Sequence, residues 1–303
     1  MLVEFDHFEN ESDSCSNIVI SASKYIRKMR GISQAVFIRA NDGKHYVVKM
    51  NDNPAGFNLL ANEHFGSVVA EAVGLPVVKP QAIFFSENFI DCHPDLWFAL
   101  PSGSRRPKEG IHFGSPLVGQ TSGAGRPTEY ISPSRVNRIV NREAFLGMYL
   151  LDVWANHQDS RQAIFRVSSD NSLDVIFIDH GHMFGGPEWN FRDSHGCSLH
   201  LEMGVYTNLW QDEQIALWIS RFQFLIPEVL KTIPYSIHPE CYKGNLSELI
   251  DRLSGRLASL PNLVRDDASR KWPWFQLQSI DETLRLADFT ATRSVFHRGH
   301  AIA

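Results

Sequence analysis

The 303-residue sequence has little cysteine and no long apolar run. Its four cysteines, at positions 15, 92, 197 and 241, are far apart and form no C-x-x-C pair, which excludes a zinc ribbon and a disulfide framework. No uninterrupted apolar stretch approaches the ~18 residues that a membrane span needs. The acidic start MLVEFDHFENESDS has neither the basic nor the apolar region of a signal peptide. We therefore expect a cytoplasmic protein that does not enter a membrane.

An excess of positive charge is also missing. The chain has 29 Lys and Arg against 34 Asp and Glu, which gives a net charge of −5 and a pI near 6.2. Such a chain has no overall basic field for a polyanion, so we expect no direct nucleic-acid binding. Because 43% of its residues are hydrophobic, it can bury one or two cores and is not a disordered or collagen-like chain.

The apolar pattern of the first third predicts a small sheet that carries one helix. The segments AVFIRA (35–40) and HYVVKM (45–50) flank an Asn-Asp-Gly turn and predict a β-hairpin. Apolar positions within 58–74 fit one helix face, and QAIFFSENFI (81–90) predicts another strand. We interpret residues 1–100 as an N-terminal lobe with an antiparallel sheet.

The rest of the chain predicts a connector and a mainly helical lobe. Residues 101–133 are rich in Gly, Pro and Ser and predict a long loop between lobes. Residues 134–303 then form the C-terminal lobe. Helices are predicted at 134–156, 212–230, 245–260 and 275–289, and a hairpin is predicted from AIFRV (163–167) and LDVIFID (173–179).

Lys49 and Glu63 are the first two candidate site residues. Lys49 lies in an apolar strand, and a turn of Gly31, Ile32, Ser33 and Gln34 precedes that hairpin. Backbone N–H groups of such a turn can bind phosphates, and a lysine on the next strand can neutralise them. Glu63 on the following helix could hold the lysine in position. A lysine that extends to solvent and a solvated glutamate are the alternatives.

Asp159 and Asp179 form the second candidate pair. If the hairpin turn centres near Asn171, Asp179 lies across from about Ala163, so the two carboxylates meet at one end of the hairpin. Asp179 ends the apolar run VIFI, and a carboxylate there needs a cation, a metal or N–H donors. A magnesium-bound nucleotide would supply such a cation. The alternative is that Asp179 caps the turn His180-Gly181-His182.

The order of these motifs resembles the HipA-like kinase family. The segments YVVKM, the Asn-Glu of LLANEHFGSVVAEAVGLPVVKP, IHFGS, DVWANHQDSRQAIF and FIDHGHMFGG carry the resemblance, over roughly residues 24–186. It implies an α+β, two-lobed protein-kinase-like fold. It also implies that Lys49 contacts ATP phosphates, Glu63 pairs with it, Asp159 acts on the acceptor hydroxyl and Asp179 holds Mg²⁺.

One departure from the family concerns the second metal ligand. Five residues after the catalytic aspartate the family has a metal-binding asparagine, and this position here is Ile164, which cannot ligate magnesium. Either Gln162 or Asn156 substitutes, or the site works with fewer ligands, or catalysis has been lost. Arg161 follows the aspartate where the family has a different pair, and it could still neutralise phosphate charge.

The sequence therefore predicts an ATP- and Mg²⁺-dependent phosphotransferase. Its acceptor is an unidentified hydroxyl, and the resemblance suggests a protein Ser or Thr. We also expect the turn residues Gly31, Ser33 and Gln34 to bind nucleotide. The alternatives are a nucleotide-binding pseudokinase or interaction module, and an enzyme of the same fold that transfers AMP or phosphorylates a small molecule. A zinc site in the segment that contains His180, His182, His195, Cys197 and His200 has no recognisable ligand spacing.

Overall fold

The computed structural model combines a five-stranded barrel in the first part of the chain with helices in the second, so the fold is of the α+β class. The structure describes residues 20–119, 127–191 and 199–272. The strands are β1 (Ile20–Lys28), β2 (Val36–Ala40), β3 (His45–Lys49), β4 (Gln81–Phe85), β5 (Phe98–Leu100), β6 (Gly103–Arg105), β7 (Gly110–Pro116), β8 (Gln162–Val167) and β9 (Leu173–Ile178). The helices are α1 (Leu59–Ala72), α2 (Glu87–Asp91), α3 (Ala144–Ala155), α4 (Asp212–Ser236), α5 (Leu246–Ala258) and α6 (Leu260–Lys271).

The barrel is closed in the order β1-β2-β3-β7-β4, and four of its five strand pairings are antiparallel as predicted. Strands β1 and β4 pair in parallel, and this pairing closes the barrel. The predicted hairpin is confirmed as β2 and β3, with Gly43 at φ 81° in its turn. The barrel encloses its own apolar core, which includes Ile38, Val48 and Phe85.

Strand β7 lies inside the segment that the composition predicts to be a connector. It pairs with both β3 and β4, so the expectation of a loop throughout 101–133 is wrong for these residues. Its glycines gave the segment the composition of a loop. Gly114, however, is required by packing, because a Cβ there would lie 2.4 Å from Ile83 Cγ1.

Two predicted elements differ from their apolar patterns: one ends early and the other is divided. Strand β4 stops at Phe85 because the Ser86 side chain accepts a hydrogen bond from Phe89 N and caps α2. The predicted helix 134–156 divides into a 3₁₀ helix, Pro133–Arg138, and α3. Asn156 ends α3 in the left-handed conformation at φ 51°.

The helices α1 and α3–α6 share one large core. The buried residues of α1 belong to this core and not to the barrel core, so α1 packs with the C-terminal helices. Helix α4 extends beyond the predicted Leu230 to Ser236, α5 matches its prediction closely, and α6 was not predicted. The predicted helix 275–289 lies outside the described residues. Within the described ranges, no helix is long and apolar enough to cross a membrane.

Candidate functional site

A cleft of about 520 Å³ lies where the barrel meets the β8–β9 hairpin. The barrel contributes residues of β1, the β1–β2 turn, β3 and β7, and the hairpin contributes both strands. The polar and charged groups on its wall include Arg30, Ser33, Lys49, Glu63, Gln162 and Asp179. Apolar side chains, among them Val47, Val78, Ile164 and Ile178, form the other part of the wall. Such a cleft can hold a ligand with one apolar and one strongly anionic end.

Lys49 connects two carboxylates at the base of this cleft. Its Nζ donates to Glu63 Oε1, and it lies 2.7 Å from Asp179 Oδ1. The lysine side chain is only 12% exposed. Although burial lowers the pKa of Lys49, the charges of Glu63 and Asp179 raise it above its ordinary value. The ammonium is therefore a permanent positive charge beside the cleft.

Glu63 is fixed by the chain that follows Asp179 as well as by the lysine. Its Oε2 accepts from the backbone N–H of His180 at 3.0 Å, and its Oε1 accepts from that of Gly181 at 2.9 Å. A Cβ on Gly181 would lie 2.9 Å from Glu63 Oε1 and 2.6 Å from Leu59 Cδ1. Glycine thus allows this loop to approach α1, and Glu63 couples the helix to the loop.

The carboxylate of Asp179 is held from two sides. Lys49 contacts Oδ1, and Gln162 Nε2 donates to Oδ2 at 2.9 Å. Burial raises the pKa of Asp179, but the ion pair with Lys49 outweighs it and holds this pKa well below its usual range. The side chain is an anion that faces the cleft and is 24% exposed. Its backbone has φ 62°, in the left-handed region.

The hairpin register places Gln162, and not Ile164, beside Asp179. Ala163 pairs with Phe177 and Gln162 with Ile178, so the prediction that Asp179 faces Ala163 is wrong by two residues. The reason is that the turn is centred one residue before Asn171. Ile164 lies farther along β8 and lines the apolar part of the cleft. The structure thus brings Gln162, whose side chain carries an amide oxygen, next to the Asp179 carboxylate.

The structure does not bring Asp159 and Arg161 to the cleft wall. Among the described residues that line it, neither is present. Asp159 Oδ1 accepts from Ser160 N at 2.7 Å. Arg161 is only 2% exposed and is bound to Asp152, with Nη2 to Oδ1 at 2.6 Å. Because its guanidinium is buried in this ion pair, Arg161 does not fit the expected contact with a nucleotide phosphate.

The β1–β2 turn contributes one of its three predicted residues to the cleft. Ser33 lines it, whereas Gly31 and Gln34 are not part of the described lining. The Gln34 amide bridges to β5, because its Oε1 accepts from Ala99 N at 2.7 Å and its Nε2 donates to Ala99 O at 2.9 Å. Gly31 has φ 117° and turns the chain. Gln34 therefore anchors the turn, and Ser33 is the residue that faces the cleft.

Two buried asparagines that the sequence analysis missed support this site. Asn53 Nδ2 donates to Ser33 O at 2.7 Å and so fixes the β1–β2 turn. Asn62, next to Glu63 on α1, donates to Gly181 O and Met183 O at 2.9 Å. For Asn62 the available signal was its place among the apolar residues of a predicted helix, since a buried amide needs partners. Asn53 lies outside the helices and strands and offered no such signal.

The histidine-rich segment that showed no zinc-ligand spacing forms no metal site in the described part of the chain. No group of three or more His, Cys, Asp or Glu there could hold a metal ion. His180 and His200 are buried, and burial lowers the pKa of each. His195 and Cys197 lie outside the described residues.

A family model described as HipA-like kinase matches residues 23–262, and no curated protein matches. Among solved structures, the Golgi casein kinase is 13% identical with a TM-score of 0.50, over 83% of this chain and 73% of that one. Its form with Mn/ADP bound is 13% identical with a TM-score of 0.49, over 81% and 72%. The Helicobacter pylori proinflammatory kinase CtkA is 12% identical with a TM-score of 0.49, over 89% and 99%. At such identity the Golgi casein kinase shows the fold alone, which is that of a kinase.

Proposed function

The chain belongs to the HipA-like kinase family, and from this premise we propose that it is a phosphotransferase that uses ATP and Mg²⁺ to phosphorylate a hydroxyl acceptor. The observation that carries the proposal is the contact of Lys49 with both Glu63 and Asp179 at the base of the cleft. The contact supports the proposal because a fixed cation lies beside a carboxylate that could bind a metal. The division into two lobes, the cytoplasmic location and a protein Ser or Thr acceptor belong to the same proposal.

The oxygen ligands available at the base of the cleft fit a magnesium ion. Asp179 supplies an ionised carboxylate, and the Gln162 side chain carries an amide oxygen beside it. Oxygen ligands of this kind suit Mg²⁺, which usually keeps several waters and binds through one or two carboxylates and the substrate phosphates. When bound, the ion would neutralise charge on those phosphates. Rotation of the Gln162 amide would exchange its donor for its acceptor.

The remaining groups have separate roles in the proposal. Lys49 would bind phosphate oxygens with a charge that stays positive at every pH near neutrality. Glu63 would keep Lys49 in place through the two backbone amides that it binds. Ile164 and Ile178 give the cleft an apolar wall against which a base can lie. Phosphoryl transfer needs little covalent chemistry from the protein, so positioning and charge are sufficient.

Nucleotide binding tests the proposal before any acceptor is known. We expect ATP with magnesium to raise the melting temperature, since a ligand at about ten times its Kd stabilises by about 1.4 kcal/mol. Asp179→Asn should abolish the magnesium-dependent part of this rise. Asp174→Asn is the matched control, because Asp174 lies on β9, the strand that Asp179 follows, but is paired with Arg166 at the surface. No shift in the wild-type protein with magnesium and ATP would refute the proposal.

Label transfer then tests the reaction itself. Incubation with γ-labelled ATP should label a protein acceptor, and α-labelled ATP should not, because the proposed reaction moves the terminal phosphate only. Asp159→Ala should lower kcat strongly and leave ATP affinity nearly unchanged if Asp159 acts on the acceptor hydroxyl. An unchanged kcat would remove Asp159 from the mechanism.

A nucleotide-binding protein without transfer activity is the second candidate. It is favoured by the position of Asp159, which is absent from the described lining of the cleft and bonds to its own neighbour. In this case the wild-type protein binds ATP and magnesium but transfers no label to itself or to a set of model protein acceptors. Label on any acceptor that depends on Asp179 would exclude it.

A further inference from the structure

Arg161 makes an unusually complete set of contacts for a residue without access to the cleft. It directly precedes β8 and is 2% exposed. Its Nε and Nη2 bind the two carboxylate oxygens of Asp152 at 2.9 and 2.6 Å. Its Nη1 donates to Ile178 O at 2.8 Å and to Asp179 O at 3.1 Å. One guanidinium therefore joins helix α3 to the main chain around Asp179.

The main chain of Asp179 requires such support. Its φ of 62° lies in the left-handed region, which L residues seldom occupy. A residue in this conformation persists only when its surroundings hold it there. The carbonyls on both sides of the Asp179 Cα bind the same nitrogen of Arg161, so rotation of either peptide would break a charge-assisted bond.

Arg161 and Gln162 hold the two parts of Asp179 separately. Adjacent side chains of an extended segment point in opposite directions. Gln162 contacts the carboxylate on the cleft side, and Arg161 contacts the main chain on the buried side. The direction of the carboxylate is thus set by two neighbours, of which only one can touch a ligand.

Asp152 fixes the orientation of the guanidinium. It lies on α3 and is 1% exposed, and its pairing with Arg161 is bidentate. Because Asp152 holds Nε and Nη2 of the planar guanidinium, the direction of Nη1 is fixed. A lysine has a single ammonium group and cannot reproduce this geometry. A buried charge without its partner is strongly unfavourable, so each member of the pair keeps the other in place.

We propose that Arg161 is a positioning residue, which holds the main chain of Asp179 in the left-handed conformation and so aims its carboxylate at the magnesium of a bound nucleotide. The inference rests on the proposed function, because it assigns a role within the same site. It replaces the phosphate contact expected from the sequence by an action through Asp179.

The test compares ATP affinity with and without magnesium in matched variants. Arg161→Lys keeps the charge opposite Asp152 but loses the fork. Arg166→Lys is the control, since Arg166 lies on β8, the strand that Arg161 precedes, and pairs with Asp174 at the surface. By titration calorimetry, we expect Arg161→Lys to keep the wild-type affinity for ATP in EDTA. The gain in affinity on adding magnesium should fall at least about tenfold, and the control should retain it.

A merely structural role would give a different result. It would lower the melting temperature and both affinities together, without a selective loss of the magnesium effect, and this would overturn the inference. If Arg161→Lys does not fold, the neutral double variant that combines Arg161→Gln with Asp152→Asn leaves no unpaired buried charge and takes its place. The glutamine introduced at position 161 is shorter than arginine and lacks the guanidinium fork, so it does not reproduce the bridge from position 152 to the two carbonyls.

The outcomes for the inference and for the proposed function are distinct. A wild-type protein without any magnesium effect would refute the proposed function and the inference with it. A magnesium effect in the wild type that Arg161→Lys shares in full would overturn the inference alone. A selective loss in Arg161→Lys with an intact control supports both.

Discussion

Asn62 offers the sharpest test of how helix α1 holds the loop after Asp179. Its side chain is fully buried. The amide Nδ2 contacts Gly181 O, Met183 O and Gly186 O at 2.9, 2.9 and 3.2 Å, and Oδ1 accepts from Trp189 Nε1 at 2.8 Å. We consider the substitution Asn62→Ala. It removes all these hydrogen bonds, and alanine does not lower the helix propensity of α1.

The size of the effect follows from the number of bonds. An amide has two N–H hydrogens, so the three carbonyls share two donated bonds, and the indole adds one accepted bond. At about 1 kcal/mol of net free energy for each bond, the substitution should lower the free energy of unfolding by about 3 kcal/mol. For a 303-residue protein the melting temperature should fall by roughly 5 °C.

Thermal unfolding and hydrogen exchange measure this prediction together. Asn262→Ala is the control, because Asn262 is an exposed asparagine within helix α6. The variant at Asn62 should also speed amide exchange in residues 180–191, since their carbonyls lose their anchor. A melting temperature within about 2 °C of that of the control, with unchanged exchange in this segment, would refute the reasoning.

The substitution Asn62→Asp tests the direction in which stability depends on pH. It keeps the acceptor for the indole but places a carboxylate against three carbonyl oxygens, so the pKa of the new carboxyl must rise in the folded state. A raised folded pKa gives stability at low pH that is lost as the pH rises. The deficit of Asn62→Asp relative to the wild type should therefore shrink as the pH is lowered. A deficit independent of pH would contradict the position of the three carbonyls.

Three further predictions follow from the same contacts. Gly181→Ala should destabilise the fold by about 1–3 kcal/mol, because its Cβ has no room. Gly255→Ala on α5, where a Cβ meets open space, should stabilise by up to about 1 kcal/mol in the same chemical denaturation assay; equal effects would contradict the packing. Burial lowers the pKa of both His157 and His180 well below the ordinary value of 6.5, so the unfolded chain takes up more protons below that pH. The free energy of unfolding, measured by chemical denaturation, should thus decline from pH 7 to pH 5 by up to about 2 kcal/mol for each histidine, and a flat profile would show that neither is buried and neutral. Lys49→Met should weaken ATP binding at least about tenfold by calorimetry; wild-type affinity would remove the lysine from the site.

Local patterns predicted the elements that carry Lys49 and Glu63. The β2–β3 hairpin depends on a short turn with Gly43 at positive φ, which the Asn-Asp-Gly sequence indicates. Helix α1 depends on an apolar periodicity that is visible without any partner. Both signals are local in sequence, so the two residues could be placed on a strand and on the next helix before any tertiary contact was known.

Longer-range pairing could not be predicted in the same way. Strand β7 depends on contacts with β3 and β4. Its Gly114, which packs against Ile83, is a residue type that suggests a loop when the sequence is read alone. The parallel pairing of β1 with β4 joins segments about sixty residues apart. Its energy comes from closing the barrel and not from a property of either segment.

The hairpin register had the largest consequence for the site. The predicted register placed Ala163 opposite Asp179. A shift of the turn centre by one residue moves each partner by two, and it is Gln162 that contacts the Asp179 carboxylate. Side chains alternate along a strand, and only the actual register decides which of them meet. Arg161 is a second instance: as a charged residue in a predicted loop it suggested a phosphate contact, whereas its burial against Asp152 gives it an internal role.

The sequence by itself therefore determined which residue types could form a phosphate and metal site, and on which elements two of them lie, because helix and turn signals are local. The tertiary structure decided how they meet. Lys49 reaches Asp179 across 130 positions of the sequence, and Glu63 and Asn62 bind a loop more than a hundred residues away. Such contacts depend on how the barrel, α1 and the hairpin pack, and the entropy lost in forming each is offset by burial that no single segment can provide.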